Sequence, residues 1–181
     1  DMFKKMKFSA VRSPPLAPHA CAARGWPRGC DATARPQGGP IALYDAPMSF
    51  QQQLTQLGLT LPAAPKPVAA YIPAVRTGNL IFISGQLPFK EGQLTATGPV
   101  PSKCSIEEAQ AAARQCILNG LAVLGDQLGG DFSRVVRIVR VGAFVQSDDG
   151  FTEQPKVANG GSELLQQLFG ESGRHARADR A

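Results

Sequence analysis

The segment that decides the fold reads Tyr71-Ile-Pro-Ala-Val-Arg-Thr-Gly-Asn-Leu-Ile-Phe-Ile-Ser-Gly-Gln-Leu-Pro88. Residues 71–75 contain β-branched and aromatic side chains and predict a strand, and Thr77-Gly78-Asn79 predicts the turn that follows. Residues 80–84 form a short apolar run, which is typical of a buried strand, and Gly85 ends it. We therefore expect two consecutive strands at this point of the chain.

A long amphipathic helix is predicted after these strands, over residues 105–128. Ser105 and Glu108 are spaced to form a capping box, in which each side chain accepts a hydrogen bond from the other residue's backbone N–H. Apolar side chains recur at a 3.6-residue spacing, with Cys116 among them, and Gly129 supplies the stop. Cys116 is therefore an expected core residue.

Three further elements complete the predicted domain: a short helix over 49–59, a β-branched strand over 135–145 and a second amphipathic helix over 155–169. The order β-β-α-β-α predicts an α+β fold in two layers, a mixed sheet with two helices on one face. The visible strands are fewer than the usual four to six or so. We therefore expect the last strand of the sheet to be missing.

Residues 1–47 differ in composition from the rest of the chain. They hold 7 of the 15 prolines and no clear hydrophobic periodicity, so they cannot bury enough apolar surface to offset the entropy of ordering. They also carry 7 Lys or Arg against 3 Asp or Glu. We predict a disordered, Pro-rich, basic leader over 1–47 and a folded domain over 48–181. An organellar transit peptide is the alternative interpretation of the leader.

The distribution of charge excludes some classes of function. The net charge is +5, but residues 48–181 are nearly neutral, with 12 basic and 11 acidic side chains. A nearly neutral domain lacks the electrostatic footprint of a nucleic-acid-binding protein. No apolar run approaches the ~20 residues needed to cross a bilayer. We therefore expect neither a nucleic-acid partner nor a membrane.

Motifs for metals and cofactors are also missing from the sequence. There is no P-loop, no nucleotide-binding glycine motif after a strand, no nucleophile elbow and no HExxH. No CxxC pair occurs, and neither histidine lies at metal-binding spacing from a cysteine pair. We therefore expect no metal ion, no cofactor and a cytoplasmic protein with free thiols. The cysteines are Cys21, Cys30, Cys104 and Cys116.

Three places offer groups for a small ligand, and each also has a purely structural interpretation. Ser84 and Gly85 end a buried strand, where a hydroxyl and an open backbone N–H suit an anion or an ordinary turn. Asn159 lies beside two glycines that weaken the start of a helix, which indicates either a contact or a loose cap. The cluster Arg174-His175-Ala176-Arg177 offers the planar guanidinium fork that binds a carboxylate, or is a group of solvated charges.

The chain resembles the RidA/YjgF family over about residues 66–178. The features that carry the resemblance are the 71–88 segment, the capped helix, the Val-rich strand ending at Val145, the helix with Asn159 and the pair Ala176-Arg177. The resemblance implies a chorismate-mutase-like fold and a homotrimer with ligand clefts between subunits. It also implies hydrolysis of reactive enamines and imines, of the 2-aminoacrylate type, to 2-oxo acids and ammonia. Members have also been described as endoribonucleases of the L-PSP type or as translation inhibitors.

The resemblance assigns roles to individual residues. Arg177 matches the arginine that grips the substrate carboxylate, and it is the expected catalytic residue. Ser84 and Gly85 match the serine and the backbone N–H beside the ligand, and Tyr71 and Asn159 match residues of the cleft wall. The expected ligand is a small 2-imino or 2-oxo acid.

A departure from the family pattern leaves a second interpretation open. Family members continue past the arginine into a Val-rich strand with a glutamate that positions the attacking water, whereas here Arg177 is followed by Ala178-Asp-Arg-Ala181. The chain is therefore either an enamine/imine deaminase or a catalytically silent small-ligand-binding or regulatory trimer. An RNA-directed translation inhibitor is the weaker alternative, because phosphate contacts demand clustered Lys and Arg.

Overall fold

The computed structural model describes residues 3–12, 48–64 and 71–180. A five-stranded sheet forms one layer, and two long helices cover one of its faces as the second layer. The predicted two-layer α+β arrangement, with a mixed sheet and two helices on one face, is therefore confirmed.

The strands are numbered in chain order, with the bounds Phe3–Arg12 (β1), Ala74–Thr77 (β2), Leu80–Gln86 (β3), Phe89–Lys90 (β4), Gln93–Leu94 (β5), Val135–Val145 (β6) and Ala176–Arg180 (β7). The main sheet has the order β2-β3-β1-β6-β7, and β4 pairs with β5 in a separate hairpin. Strands β6 and β7 are parallel, and the other neighbours are antiparallel.

The helices span Phe50–Gln56 (α1), Ile106–Leu128 (α2) and Gln154–Phe169 (α3), with short 3-10 turns at Phe132–Arg134 and Gly170–Gly173. The predicted capping box starts α2: Ser105 Oγ accepts from the Glu108 N–H at 3.1 Å, and Glu108 Oε2 accepts from the Ser105 N–H at 2.9 Å. Gly129 ends the helix in the left-handed conformation, at φ 65°. The predictions for α2 and α3 are correct to within one residue, whereas α1 is shorter than predicted.

Residues 3–12 correct the prediction of a leader disordered throughout 1–47. They form β1, which lies in the middle of the sheet and pairs with both β3 and β6. The alternation of Met6, Phe8 and Ala10 with polar Lys7 and Ser9 is the period-2 signal that the neighbouring prolines obscured. Ala10 is buried in the core. The remainder of the predicted leader up to residue 47, with Cys21 and Cys30, lies outside the described residues.

Strand β7 corrects the prediction that the last strand of the sheet is missing. Residues 176–180 pair in parallel with β6, with Arg177 opposite Val141. The sequence Ala-Arg-Ala-Asp-Arg lacks the β-branched residues by which strands are recognised. It forms a strand because its backbone pairs with the backbone of β6, although its own residues have no marked strand propensity.

The two long helices approach each other closely at Gly160. A Cβ atom at this position would lie 2.3 Å from the backbone oxygen of Gln110 on α2, so the contact leaves no room for a side chain. Gln110 Nε2 also donates to the Lys156 carbonyl at 2.9 Å, which joins α2 to the first turn of α3. Cys116 lies in the core beneath, 1% exposed, as predicted.

The described helices are all too short or too polar to cross a membrane.

Candidate ligand-binding site

Arg177 lies on the helix-covered face of the sheet, because its partner across the ladder, Val141, is fully buried. Its guanidinium reaches α3, where Nη1 donates to Asn159 Oδ1 at 2.7 Å and to Ser162 Oγ at 3.2 Å. Nη2 donates to the Pro155 carbonyl at 3.3 Å. The structure therefore brings together two of the residues predicted for the site, Arg177 and Asn159.

The hydrogen bond with Arg177 explains why an asparagine is present in the first half of α3, where it lowers the helix propensity. Asn159 accepts the shortest of the guanidinium hydrogen bonds, and Gly160 beside it allows α2 and α3 to touch. These two contacts are tertiary, and they favour residues that lower the intrinsic helix propensity. The interpretation of Asn159 as a loosely held cap is therefore not supported.

Asp179 is a component of the site that sequence reasoning missed. Its Oδ2 lies 3.0 Å from Arg177 Nε, and both side chains are largely buried, at 13% and 23% exposed. Within the described part of the chain, Asp179 Oδ1 is buried without a hydrogen-bond partner. Among the described residues, three of the five N–H groups of Arg177 thus donate hydrogen bonds, and Nε faces Asp179 as an ion pair, so the Nε and Nη2 edge is the side open to a ligand. A carboxylate bound at two points must displace Asp179.

His175 and Ser162 form the second part of this polar cluster. Ser162 Oγ lies 3.1 Å from His175 Nε2, and His175 Nδ1 lies 2.7 Å from the Gly173 carbonyl oxygen. Burial lowers the pKa of His175 from its ordinary value of 6.5; the bond to Gly173 opposes this change, Arg177 adds to it and Asp179 opposes it. The imidazole is therefore neutral at pH 7.

The cluster opens into a cleft of about 620 Å³ between α3 and the start of β7. Arg174, at the rim, is 66% exposed and pairs with the exposed Glu171 at 3.4 Å. All of the lining side chains are polar or charged, which suits a small hydrophilic anion better than an apolar ligand. They belong to Asn159, Ser162, Glu163, Gln166, Arg174, His175 and Arg177.

The other predicted site residues lie elsewhere in the sheet. Ser84 and Gly85 are on β3, which is separated from β7 by β1 and β6, so three strand spacings of about 4.8 Å place them roughly 14 Å from Arg177. Ser84 Oγ donates to the Ile72 carbonyl at 2.7 Å and thereby holds the segment that carries Tyr71. The predicted set therefore lies in two separate groups of the chain, which we call half-sites: Tyr71, Ser84 and Gly85 form one, and Asn159 and Arg177 form the other.

Tyr71 also precedes the strand in which it was predicted. Strand β2 begins at Ala74, after Pro73, whose ring removes the N–H that a strand partner would need. Pro73 instead accepts a hydrogen bond from the Ser84 N–H at 2.9 Å. Tyr71 is 39% exposed beside this contact.

Two periodicities in the sequence are the signals for the contacts that sequence reasoning missed. Positions 159 and 162 are three apart on a helix and share a face. Positions 175, 177 and 179 alternate along an extended segment and share a side. Reading these two patterns together predicts that Ser162, His175 and Asp179 accompany Asn159 and Arg177.

The chain belongs to the YjgF/chorismate-mutase-like family. Residues 51–180 match the family described as "YjgF/chorismate mutase-like, putative endoribonuclease". This match includes both half-sites and confirms the family predicted from the sequence motifs, together with its chorismate-mutase-like fold.

Relatives from several organisms share this sequence and fold. Protein TCP17 of Trypanosoma cruzi is 43% identical over 125 residues, which are 68% of this chain and 78% of that protein. A crystal structure of a protein of unknown function from Agrobacterium tumefaciens is 42% identical, with a TM-score of 0.67 over 71% of this chain and 79% of that one. A structure from Shewanella oneidensis, titled a "putative endoribonuclease", is 32% identical with a TM-score of 0.70 over 74% of this chain and 87% of that one.

Proposed function

We propose that this protein hydrolyses reactive enamines and imines of the 2-aminoacrylate type to 2-oxo acids and ammonia. The observation that carries the proposal is the guanidinium of Arg177, held by Asn159 and Ser162 at the wall of a polar cleft. A 2-imino acid is small and bears one carboxylate, so a rigid arginine supplies most of its orientation. No metal or cofactor is part of the proposal.

The chemistry requires water, proton transfer and a positioned substrate. Water adds to the imine carbon to give a carbinolamine, which collapses to the 2-oxo acid as the C–N bond breaks and ammonia leaves. Arg177 fixes the carboxylate next to the reacting carbon, and polar side chains of the cleft accept and return the proton.

A direct assay tests this activity. The full chain is mixed with freshly generated 2-aminoacrylate, and pyruvate and ammonia are measured against buffer and against heat-denatured protein. We expect pyruvate and ammonia to appear faster with the native chain, in equal amounts. Rates equal to those in buffer would exclude the proposed activity.

We propose further that the working unit is a homo-oligomer, the homotrimer implied by the family resemblance. Its support is the separation of the half-sites: Tyr71, Ser84 and Gly85 of one copy need the Arg177 cleft of another to complete the predicted site. The uncovered face of the sheet also exposes apolar side chains, among them the paired Val75 and Phe82. Packing this face against other copies removes apolar surface from water.

Replacing Phe82 with aspartate is expected to shift the protein toward monomers. Phe82 is 45% exposed and lies directly across from Val75, so a carboxylate there puts a charge into the proposed interface. Sedimentation velocity at several concentrations measures the change. The matched control is Phe89→Asp, because Phe89 is 36% exposed on β4, outside the main sheet. An unchanged association state in the Phe82 variant would contradict the proposed interface.

A second candidate function is ligand binding without turnover. The observation in its favour is that the cleft offers Arg177 as an anchor for a carboxylate, while the neighbouring carboxylate, Asp179, is engaged in an ion pair with that arginine and is not free to act as a base. In this case calorimetry detects a 2-oxo acid such as pyruvate, whereas the 2-aminoacrylate assay shows no acceleration. The two measurements together separate a binding protein from a deaminase.

Replacing Asp179 with asparagine is expected to tighten pyruvate binding by about 5-fold, since the competing carboxylate charge beside Arg177 is removed. Isothermal titration calorimetry at pH 7 measures the dissociation constant. Asp149→Asn is the matched control, because it makes the same change of charge at an exposed residue outside the cleft. Equal affinities in the Asp179 variant and the unaltered chain would show that Asp179 does not compete for the arginine.

RNA-directed activity is the weaker candidate. The family description includes the word endoribonuclease, but residues 48–181 carry 12 basic and 11 acidic side chains. Such a balance provides little of the phosphate attraction on which RNA affinity depends.

A cytoplasmic location is part of the main proposal, and the unpaired, buried Cys104 and Cys116 support it.

A further inference from the structure

We propose that Ser162 and His175 are the proton-transfer pair of the cleft, with His175 Nε2 as the base that receives a proton from the attacking water through the Ser162 hydroxyl. The inference rests on the proposed deaminase activity and adds a residue role that the family resemblance does not imply. It starts from the contact between these two side chains beside the guanidinium of Arg177.

The hydrogen bonds define the tautomer of the imidazole. A carbonyl oxygen only accepts, so the 2.7 Å contact with Gly173 places the proton of His175 on Nδ1. In the neutral ring Nε2 is then an acceptor, and the 3.1 Å contact makes Ser162 Oγ–H the donor to it. The Gly173 carbonyl thus orients the base, as a third group orients the histidine in other serine–histidine pairs.

Arg177 completes the relay from the other side. Its Nη1–H donates to Ser162 Oγ at 3.2 Å, so the hydroxyl accepts from a cation while it donates to the imidazole. A hydroxyl polarised in this way passes a proton more readily than an isolated one. The same arginine is the group proposed to hold the substrate carboxylate, so the relay and the bound substrate contact one guanidinium.

The surroundings of His175 contain both signs of charge. Arg177 and Asp179 are on β7, Glu163 and Gln166 face it from α3, and Arg174 is its neighbour in the chain. Arg137 of β6 lines a second cavity of about 380 Å³ together with the ring. The cations and the partial burial favour the neutral ring, which is the form able to accept a proton.

The proton balance starts from the iminium tautomer, which forms when a proton from solvent adds to C3 of the enamine, and from there it closes without any other reactant. As the water oxygen bonds to the iminium carbon, one water proton moves to Ser162 Oγ and the serine proton moves to His175 Nε2. The imidazolium returns this proton by the same path to the amino group of the carbinolamine. The C–N bond then breaks, its electron pair leaves with ammonia, and the hydroxyl proton of the carbon passes to the ammonia to give the 2-oxo acid and ammonium.

Two variants of the full chain test the relay by kinetics. His175→Gln keeps a hydrogen-bond acceptor for Ser162 but cannot take a proton, and Ser162→Ala removes the relay hydroxyl. We expect each to lower kcat for 2-aminoacrylate hydrolysis at pH 7 by at least about 10-fold, with a smaller change in KM. His19→Gln is the control, since it removes the other histidine of the chain.

The pH profile separates a base from a merely structural residue. The base acts in its deprotonated form, so kcat must fall as the pH decreases through the pKa of His175. Because burial lowers this pKa, we expect the fall in kcat below pH 6.5. We expect the acid limb to remain in His19→Gln and to vanish in His175→Gln. A limb that survives in His175→Gln, or full kcat in both cleft variants, would overturn the relay and leave the deaminase proposal intact. No turnover by the unaltered chain would instead remove the deaminase proposal on which the relay rests.

Nitrogen-15 NMR provides a readout that does not depend on turnover. In the His19→Gln chain a single imidazole remains, so its signals belong to His175. We expect the Nδ1–H tautomer, a pKa below 6.5 and a change in the Nε2 shift on Ser162→Ala. The Nε2–H tautomer at neutral pH would refute the relay.

Discussion

Replacing Arg177 with lysine is expected to lower kcat/KM for 2-imino acid hydrolysis by at least about 10-fold, or roughly 1.4 kcal/mol of transition-state stabilisation. Lysine keeps the positive charge but loses the planar arrangement of donors. An ammonium group has three donors at one point, and it cannot reach Asn159, Ser162 and Asp179 while it also binds a substrate carboxylate. The substrate therefore loses its fixed orientation.

The control for this prediction is Arg174→Lys, three residues away. Arg174 is 66% exposed and pairs with an exposed glutamate, so exchanging one cation for another should leave kcat/KM nearly unchanged. Steady-state kinetics measure kcat/KM of both variants. Thermal unfolding establishes that each variant is folded. If Arg174→Lys were the impaired variant and Arg177→Lys the neutral one, the assignment of the carboxylate-binding arginine would be wrong.

Gly160→Ala is expected to lower the free energy of unfolding by about 3 kcal/mol, which corresponds to a fall in Tm of roughly 10 °C for a chain of this size. The added Cβ would lie 2.3 Å from the Gln110 oxygen and 2.8 Å from its carbonyl carbon, and these atoms belong to the backbone of α2. Backbone atoms inside a helix cannot move alone, so α2 and α3 must separate. The higher helix propensity of alanine, worth about 1 kcal/mol, offsets part of the cost only.

Gly125→Ala is the matched control for this change. It makes the same substitution inside a helix and gains the same propensity, but the new Cβ meets the end of the Phe132 ring at 3.1 Å. A ring can shift by the few tenths of an ångström required, so we expect a loss below about 1 kcal/mol. Denaturant-induced unfolding followed by circular dichroism measures both variants. Equal losses would show that the close approach of the two helices at Gly160 is not as the structure describes.

Local sequence signals were sufficient where an element depends on its own residues. The capping box at Ser105 and the 3.6-residue spacing up to Leu128 predicted α2 because both signals are contained within the helix. The β-branched run over Val135–Val145 predicted β6 for the same reason. Strands β1 and β7 were missed because their composition is mixed and their pairing depends on backbone groups of β3 and β6.

The residues of the candidate site show the same difference between local sequence signals and tertiary contacts. Arg177 and Asn159 could be selected from the sequence because they match motif positions of the family that the chain resembles, whereas their local settings also allowed a purely structural interpretation. The ion pair with Asp179 and the contact between Ser162 and His175 depend on how α3 lies over β7, which no local pattern contains.

The sequence by itself determined the family, the two-layer fold and the chemical type of the groups that face the ligand, because periodicity, capping and motif order are local properties. Only the tertiary structure decided which of those groups meet. The sheet order places β1 and β6 between Ser84 and Arg177, and the packing of α3 on the sheet puts a carboxylate and a serine–histidine pair around the guanidinium. Distances between residues far apart in the chain depend on the pairing of strands and the packing of helices, and these are properties of the whole fold.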